Sequence, residues 1–198
     1  MQRRSVLGGI IMVPLTACQP MPARPELSLQ SSAEIDRVQA YLNGIRSLQA
    51  RFIQIWPNAT SSEGTLWMER PGRLRLQYAP PSSLTLVAAH GTLLIYDSAT
   101  QGTTTLPLAR TPLSILLAPT ISLEGPVTVT GVQSTPGEFA LTVVRTSAPR
   151  QGSLTLLFTR TPLTLRSIRM IDAEGHVTDL TLLDLVPNGP INPALFEL

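Results

Sequence analysis

"GTLWMERPGRLRLQY", residues 64–78, decides how the chain folds, because apolar residues occupy every second position on both sides of Pro71-Gly72. Such alternation predicts two strands, each with one apolar and one polar face, joined by a turn. Arg70 breaks the pattern, since it stands beside Pro71 at a position that the alternation assigns to the apolar face. Either its guanidinium bonds acceptors inside the fold, or its long side chain reaches water from the end of a strand.

The period-two pattern continues from Phe52 onward, and the breaks in it are short and contain turn residues. Strands that are so evenly spaced and so closely joined predict an antiparallel meander that curls. The candidate strands are residues 51–56, 63–69, 73–79, 83–89, 92–97, 103–108, 126–133, 139–146, 152–160, 163–171 and 177–186.

Two segments predict helices instead. Residues 31–50, "SSAEIDRVQAYLNGIRSLQA", have apolar side chains at helical spacing, and Ser31 with Glu34 matches the S-x-x-E capping box. Residues 111–118, "TPLSILLA", predict a short apolar helix that Pro119 ends. We expect the two helices to cover the concave face of the curled sheet. The apolar positions of the longer helix are Ile35, Val38, Leu42, Ile45 and Leu48.

The first residues indicate export and a lipid anchor. "MQRRSVLGGIIMVPLTACQP" has the basic start, apolar run and small residues of a secretory signal peptide. The run from Val6 to Leu15 is shorter than the roughly 20 residues that span a bilayer. "LTAC" resembles the bacterial lipobox, in which Cys18 would become the lipidated first residue, and the alternative is ordinary cleavage after Ala17. We therefore assign residues 1–18 to a signal peptide with a lipobox, 19–30 to a Pro-rich tether and 31–198 to the folded domain.

Composition argues against several functional classes. Of fifteen basic residues, all Arg, two lie in the leader, and the others balance thirteen Asp plus Glu, so no nucleic-acid surface is indicated. His90 and His176 each adjoin a Gly in a predicted turn, and the single Cys leaves no disulfide. The sequence contains no P-loop, G-x-S-x-G or G-x-G-x-x-G motif. We expect a protein without catalytic residues, metal ion or cofactor.

Several motifs of the chain resemble those of the LolA family of periplasmic lipoprotein carriers. "FIQ" at 52–54 is similar to the family's F-x-Q after its N-terminal helix, and residues 64–78 are similar to its G-x-L-W-x-x-R-P segment. "AAHGTLLIYD" at 88–97 is similar to D-G-x-x-L-W-x-Y, with His90 where Asp is usual. The short predicted helix also fits, and the final "NPALFEL" resembles the family's terminal strand. The resemblance covers residues 31–198.

The resemblance implies a fold and a function. The family fold is mainly β, an open or half antiparallel barrel of about eleven strands, with an N-terminal helix and a short inserted helix as its lid. It encloses a hydrophobic cavity for the acyl chains of lipoproteins. The family's R-P arginine bonds backbone carbonyls of the lid helices, which makes Arg70 the expected lid gate. The acyl-chain cavity would be lined by Leu66, Met68, Leu74, Leu76, Tyr78, Leu86, Leu94, Tyr96, Leu113 and Leu116.

Partners and location also follow from the resemblance. They are outer-membrane lipoproteins and an inner-membrane lipoprotein-releasing transporter, and we expect a monomer in the periplasm. A lipid on Cys18 would instead anchor the protein, and we expect the outer membrane because Gln19 follows rather than Asp. The alternatives are then a LolB-like acceptor or another lipid-binding envelope lipoprotein. A sensor such as RseB has a similar domain but a second one as well, for which we expect no room here.

Overall fold

The computed structural model describes residues 29–56 and 58–197. The predicted signal peptide, Cys18 and most of the predicted tether lie outside these residues. Within the described residues, the fold is mainly β, and none of the helices has the length and apolar character that crossing a bilayer requires.

All eleven predicted strands are present, and every pairing between neighbouring strands is antiparallel. The largest difference is in the first strand, which begins at Ser47 rather than at residue 51. The strands are β1 (Ser47–Ile55), β2 (Ser61–Glu69), β3 (Arg73–Tyr78), β4 (Leu84–Ala89), β5 (Thr92–Asp97), β6 (Gly102–Pro107), β7 (Val127–Ser134), β8 (Glu138–Arg145), β9 (Ser153–Arg160), β10 (Leu163–Ile171) and β11 (Val177–Pro187).

The order of the strands leaves the sheet open. It is β6-β5-β4-β3-β2-β1-β11-β10-β9-β8-β7, so the first strand pairs with the last near the middle of the sheet. The two edges are β6 and β7, which are consecutive in the chain but do not pair with each other. The predicted open antiparallel half barrel is therefore confirmed, and the chain must cross from one edge to the other between β6 and β7.

The segment that makes this crossing, residues 108–126, contains the short predicted helix. A 3-10 turn at Leu108–Arg110 leads into α2 (Leu113–Leu116), which is a single turn with three buried apolar side chains. Further along the segment, Ile121 and Leu123 are each 3% exposed. The connection thus places a series of apolar side chains over the concave face of the sheet.

The long predicted helix is present, but its limits differ from the prediction. α1 spans Leu29–Gly44 rather than residues 31–50. Ser31 lies inside the helix, so the capping box predicted there is wrong. Leu48 belongs to β1, where it is buried, and its helical spacing from the earlier apolar residues is coincidental. Among the side chains of α1 that the structure describes, residues 32–44, the buried ones are Ile35, Val38 and Leu42.

Asn188, which follows β11, fixes the end of α1. Its Nδ2 donates to the carbonyl of Gly44 at 2.9 Å, and its Oδ1 accepts from the backbone N–H of Arg46 at 2.8 Å. The backbone N–H of Asn188 also donates to the carbonyl of Ser47 at 2.8 Å. The last carbonyls of a helix have no partner within it. Asn188 satisfies one of them and directs the chain into β1.

A single apolar core lies between the sheet and the two helices. Cross-strand pairs place Leu66, Leu76 and Leu86 on the same face of β2, β3 and β4. Side chains from β8, β9 and β10, in the other half of the sheet, belong to the same core. The sheet must therefore curve around the helices. The most buried large residues of the core include Phe52, Phe139, Leu141, Leu154 and Phe158.

The terminal strand that the resemblance implied is wrong. Pro193–Phe196 forms a 3-10 helix that packs against β3 and β4, and Pro193 has no N–H to donate to a strand ladder. Arg75 Nη1 donates to the carbonyl of Leu195 at 3.1 Å. Arg75 lies opposite Val87, on the convex face. Val87 is only 4% exposed there because the C-terminal segment covers it.

The structure explains why a Phe in "FIQ" accompanies a Gly in "GTLW". Phe52 on β1 lies directly opposite Gly64 on β2. A Cβ atom at Gly64 would lie 2.6 Å from Phe52 Cζ and 2.3 Å from the carbonyl oxygen of Gln77 on β3. Glycine is therefore required where the Phe52 ring crosses the neighbouring strand.

We predict that Gly64→Ala lowers the free energy of unfolding by about 1–3 kcal/mol, because the added methyl group overpacks the sheet. Gly44→Ala is the matched control, since no heavy atom lies within 4 Å of the Cβ position there. Urea denaturation of both variants measures the difference. Equal unfolding free energies for the two variants would contradict this account of Gly64.

Candidate functional site

Arg70 follows β2 and is buried against the C-terminal end of α1, with 6% of its surface exposed. Its Nε donates to the carbonyl of Ile45 at 3.0 Å, and its Nη2 donates to the carbonyl of Leu42 at 2.6 Å. Nη2 also contacts the Ile45 carbonyl. The guanidinium therefore points into the fold, and the alternative in which it reaches water does not apply. Its acceptors belong to the helix end, where carbonyls lack partners within the helix.

In the part of the chain that the structure describes, no acidic side chain balances the charge of Arg70. Burial lowers the pKa of its guanidinium from the ordinary value, and the nearby positive charge of Arg46 lowers the pKa further. Among the described residues, the five ion pairs all involve other side chains. A buried cation that is held only by carbonyl dipoles stabilises a fold inefficiently, because the free energy needed to remove the charge from water offsets much of the interaction. This arrangement makes Arg70 the first candidate for a functional residue.

α1 is also bonded to the segment that follows α2. Asn43 Nδ2 donates to the carbonyl of Ile121 at 2.8 Å, and Asn43 Oδ1 accepts from the N–H of Ile121 at 2.9 Å. Gln39 Oε1 accepts from the N–H of Leu123 at 2.7 Å. These bonds join α1, α2 and residues 117–126 into one unit, which we call the lid.

Polar contacts hold the α2 side of the lid to the sheet. The N–H of Gly72, in the β2–β3 turn, donates to the carbonyl of Leu117 at 2.9 Å. At the other half of the sheet, Arg145 Nη2 donates to Ser114 Oγ. The lid is therefore attached on both sides of the opening between the edge strands.

A salt bridge holds the N-terminal half of α1. Arg160 Nη2 lies 2.6 Å from Glu34 Oε1, and both side chains are less than a quarter exposed. Tyr41 is also bonded to the sheet, because its hydroxyl oxygen accepts from the N–H of Leu165 at 3.1 Å. Every one of these contacts can break and re-form without a change in covalent structure.

The space between the lid and the sheet is closed. It contains a void of about 10 Å³, which has room for roughly one water molecule. The expected hydrophobic cavity is therefore filled by side chains of the lid, and a ligand would have to displace them. The void is lined by Leu42, Ile45, Leu48, Leu66, Met68, Arg70, Leu116, Ile121, Leu165 and Ile168.

Most of the residues predicted to line a cavity lie in this interior. Leu86 is on the concave face but only half-buried, because the lid covers β4 less completely than β2 and β3. Leu66, Met68 and Leu116 line the void itself. The other predicted residues that are buried in the same core are Leu74, Leu76, Tyr78 and Leu113. Acyl-chain binding by any of them remains a prediction.

Leu94 and Tyr96 lie on the other face of the sheet, so their assignment to the cavity is wrong. Leu94 pairs with Val87 and Tyr96 pairs with Thr85, whereas Leu86 pairs with Ile95 on the concave face. Both faces of β5 are apolar, and the sequence therefore did not show which of them points inward. Only the register of β5 with β4 decides which face of β5 points inward.

Gln54 is a buried polar residue that the sequence analysis did not single out as part of the site. It is 2% exposed, and its Oε1 accepts a hydrogen bond from the hydroxyl of Tyr78. Burial raises the pKa of Tyr78 to about 12, which keeps the phenol neutral and able to donate at physiological pH. The Gln of the "FIQ" motif thus provides the acceptor that a buried Tyr needs.

A surface groove of about 580 Å³ lies beside α2. Its walls come from Ala109, α2, residues 118–126, the start of β7 and the end of β8, and they are mostly apolar, although Arg145 also lines the groove. Ile121 lines both this groove and the internal void. Because Asn43 holds the backbone of Ile121, the groove and the void are separated by a side chain whose position depends on α1.

The turn between β10 and β11 brings together Asp172, Glu174 and His176, whose possible ligand atoms lie within 4.8 Å of one another. His176 Nδ1 lies 2.9 Å from Asp172 Oδ2, and this contact raises the pKa of the imidazole through the hydrogen bond and the carboxylate charge. The exposed turn positions predicted for His90 and His176 are confirmed. The cluster lies at the surface and is not part of the lid.

Comparison with known proteins identifies relatives. A model of the family described as "Outer membrane lipoprotein carrier protein LolA" matches residues 43–198. The outer-membrane lipoprotein carrier protein of Methylococcus capsulatus is 26% identical over 147 residues, which are 70% of this chain and 67% of that protein. The protein of the same name from Alkalilimnicola ehrlichii is 32% identical over 88 residues, or 42% of this chain. That match spans 41% of the Alkalilimnicola protein's own length.

Solved structures are similar at lower identity. An uncharacterized conserved protein from Thermus thermophilus has a TM-score of 0.48 and 14% identity, over 84% of this chain and 93% of that one. A LolA superfamily protein from Nitrosomonas europaea has a TM-score of 0.43 and 12% identity, over 81% and 96%. MucB has a TM-score of 0.45 and 15% identity, over 86% and 63%.

The family assignment rests on the family model, because the structural similarities have TM-scores below 0.5. The matched range, residues 43–198, includes all eleven strands, Arg70, α2 and the rest of the segment between the edge strands. This chain belongs to the LolA family of outer membrane lipoprotein carrier proteins.

Proposed function

We propose that this protein is a periplasmic carrier that shelters the acyl chains of lipoproteins between its sheet and its lid during sorting to the outer membrane. The observation that supports this best is Arg70, a buried cation that holds the lid over an apolar interior through main-chain carbonyls. An inner-membrane lipoprotein-releasing transporter would supply the cargo. Such a role breaks no covalent bond and needs no catalytic residue.

Burial of the cargo's acyl chains provides the driving force for binding. Transfer of each CH₂ group out of water contributes about 0.8 kcal/mol, so a chain of ~14 such groups contributes on the order of 10 kcal/mol. A hydrogen bond that closes the lid contributes about 1 kcal/mol, and somewhat more when it involves a charged group. An acyl chain can therefore offset the loss of several closing contacts, less about 1.5–3 kcal/mol for each apolar side chain of the lid that it displaces into water.

The groove beside α2 offers a route for the acyl chain. Its walls are mostly apolar, and Ile121 separates it from the internal void. Two bonds from Asn43 hold the backbone of Ile121 to α1. Asn43 is next to Leu42, whose carbonyl Arg70 holds. When α1 is released from Arg70 and moves, Ile121 would therefore move with it, and the route would open.

We predict that Arg70→Leu leaves the sheet folded but increases the population of the open lid. The substitution removes every side-chain hydrogen bond from residue 70 to the end of α1 and replaces a buried cation with an apolar side chain. A loss of about 1.4 kcal/mol in lid closure would raise the open population roughly tenfold. Binding of a dye that fluoresces on apolar surfaces measures opening, circular dichroism checks the sheet, and lipoprotein transfer reports function.

Arg166→Leu is the matched control for this experiment. It makes the same chemical change at an exposed position of β10. We expect its dye binding and lipoprotein transfer to equal those of the wild type. If Arg70→Leu also equals the wild type in both measurements, Arg70 does not gate the lid.

A membrane-anchored acceptor is the second candidate function, and the lipobox at Cys18 is the observation that favours it. The part of the predicted tether that precedes α1, residues 19–28, could extend about 31 Å at ~3.1 Å per residue. That length lets the domain stand away from a bilayer but not cross a wider periplasm. An anchored protein would therefore receive or hand over lipoproteins at one membrane.

Labelling of the full chain with radioactive palmitate separates the two roles. If Cys18 is lipidated, the wild type takes up the label and fractionates with membranes, and Cys18→Ala loses both properties. A wild-type protein that stays unlabelled and soluble in the periplasm rules out the anchored acceptor and leaves the carrier.

A further inference from the structure

One nitrogen of the Arg70 guanidinium is not used in closing the lid. Nε and Nη2 donate to α1, whereas the buried Nη1 has no hydrogen-bond partner among the described residues. A buried donor without an acceptor is unfavourable because it has lost water and gained nothing in return. Among the described residues that line the internal void, Arg70 is also the one that is charged. The interior therefore contains an unsatisfied cationic donor among apolar walls.

Opening of the lid leaves more of the donors of the Arg70 guanidinium without acceptors. When α1 moves away, the carbonyls of Leu42 and Ile45 move with it, but Arg70 stays at the end of β2. Its whole guanidinium then faces the space that acyl chains enter. A charge in such surroundings requires acceptors from another source. Hydrocarbon offers none, whereas an ester- or amide-linked acyl chain has a carbonyl oxygen at its head.

We propose that Arg70 is the head-group subsite of the acyl-chain cavity, where its guanidinium donates to the carbonyl oxygens of ester- or amide-linked acyl groups. The ligand carbonyls replace those of Leu42 and Ile45, so the same residue holds the lid in the empty protein and the cargo in the loaded one. The protein thereby selects carbonyl-headed chains over chains of equal length without a carbonyl. This inference rests on the proposed function, because it places acyl chains in the same interior.

The position of Arg70 also sets the direction of the bound chain. The residues that line the void include Arg70, at the end of β2, and Leu165 and Ile168 on β10. An acyl chain with its carbonyl at Arg70 would therefore run across β1 and β11 toward β10, against the apolar concave face. Its head would lie near Gly72 and Leu117, where the β2–β3 turn meets the lid.

The test compares two lipopeptides that differ only in the linkage of their chains. One is a diacyl lipopeptide with ester-linked chains, and the other is its ether analogue, which has the same chain lengths and no ester carbonyls. The dissociation constants of both are measured for the full-length wild type and for Arg70→Leu. Any effect of the substitution on lid opening applies to both ligands and cancels in the ratio of their affinities.

We expect the wild type to bind the ester about tenfold more tightly than the ether, as one to two hydrogen bonds to a charged donor imply. Arg70→Leu should bind the two equally. Arg70→Lys keeps the charge without the fork of donors, so its preference for the ester should lie between that of the wild type and that of Arg70→Leu. Equal binding of ester and ether by the wild type overturns the subsite, as does a preference that survives in Arg70→Leu. In both of these cases the carrier function stands. Failure of the wild type to bind either lipopeptide overturns the carrier function as well.

A diester phospholipid and its diether analogue identify the source of the carbonyl. An Arg70-dependent ester preference in this pair supports the subsite and shows that it recognises the ester in any acylated lipid. The absence of phospholipid binding, together with the preference among lipopeptides, supports the subsite and restricts it to lipoprotein cargo.

Discussion

The guanidinium of Arg70 lies buried against the carbonyls of Leu42 and Ile45, and this contact fixes where α1 rests on the sheet. Among the described residues it has no carboxylate partner, so its stability depends on the acceptors at the helix end. Apolar residues in place of a buried charge often give a more stable core. A hydrogen-bonded cation can exchange one set of acceptors for another, whereas an apolar contact in its place would simply stay closed. The closed interior and the proposed opening both follow from this property.

The topology of the sheet explains why the lid is part of the same chain. Because β6 and β7 are opposite edges of an open sheet, the segment between them has to cross the concave face. Its apolar residues bury themselves there, and α1 bonds to it through Asn43 and Gln39. The centre of the lid is therefore apolar, while the contacts that fasten it are polar and separately weak. This combination closes an apolar interior without making it permanent.

Much of the fold could be predicted from the sequence, because the period-two pattern is local. All eleven strands were predicted in this way, and the alternation around Pro71 already placed Arg70 on the inward face. The errors occurred where a distant contact decides the outcome. α1 ends at Gly44 because Asn188, 144 residues away, bonds it there. Likewise, Leu94 lies on the outer face because of its register with Val87, and the apolar pattern of β5 allowed either face.

The central claim is that acyl chains bind between the lid and the concave face, and site-specific photo-cross-linking tests it most directly. A photoreactive amino acid is placed at Met68, which lines the internal void, or at Leu94, which lies on the opposite face. Each protein is then irradiated with a lipoprotein that has radiolabelled acyl chains. The account predicts that the labelled chains cross-link to position 68 and not to position 94. Equal cross-linking at both positions, or cross-linking at position 94 alone, would contradict it.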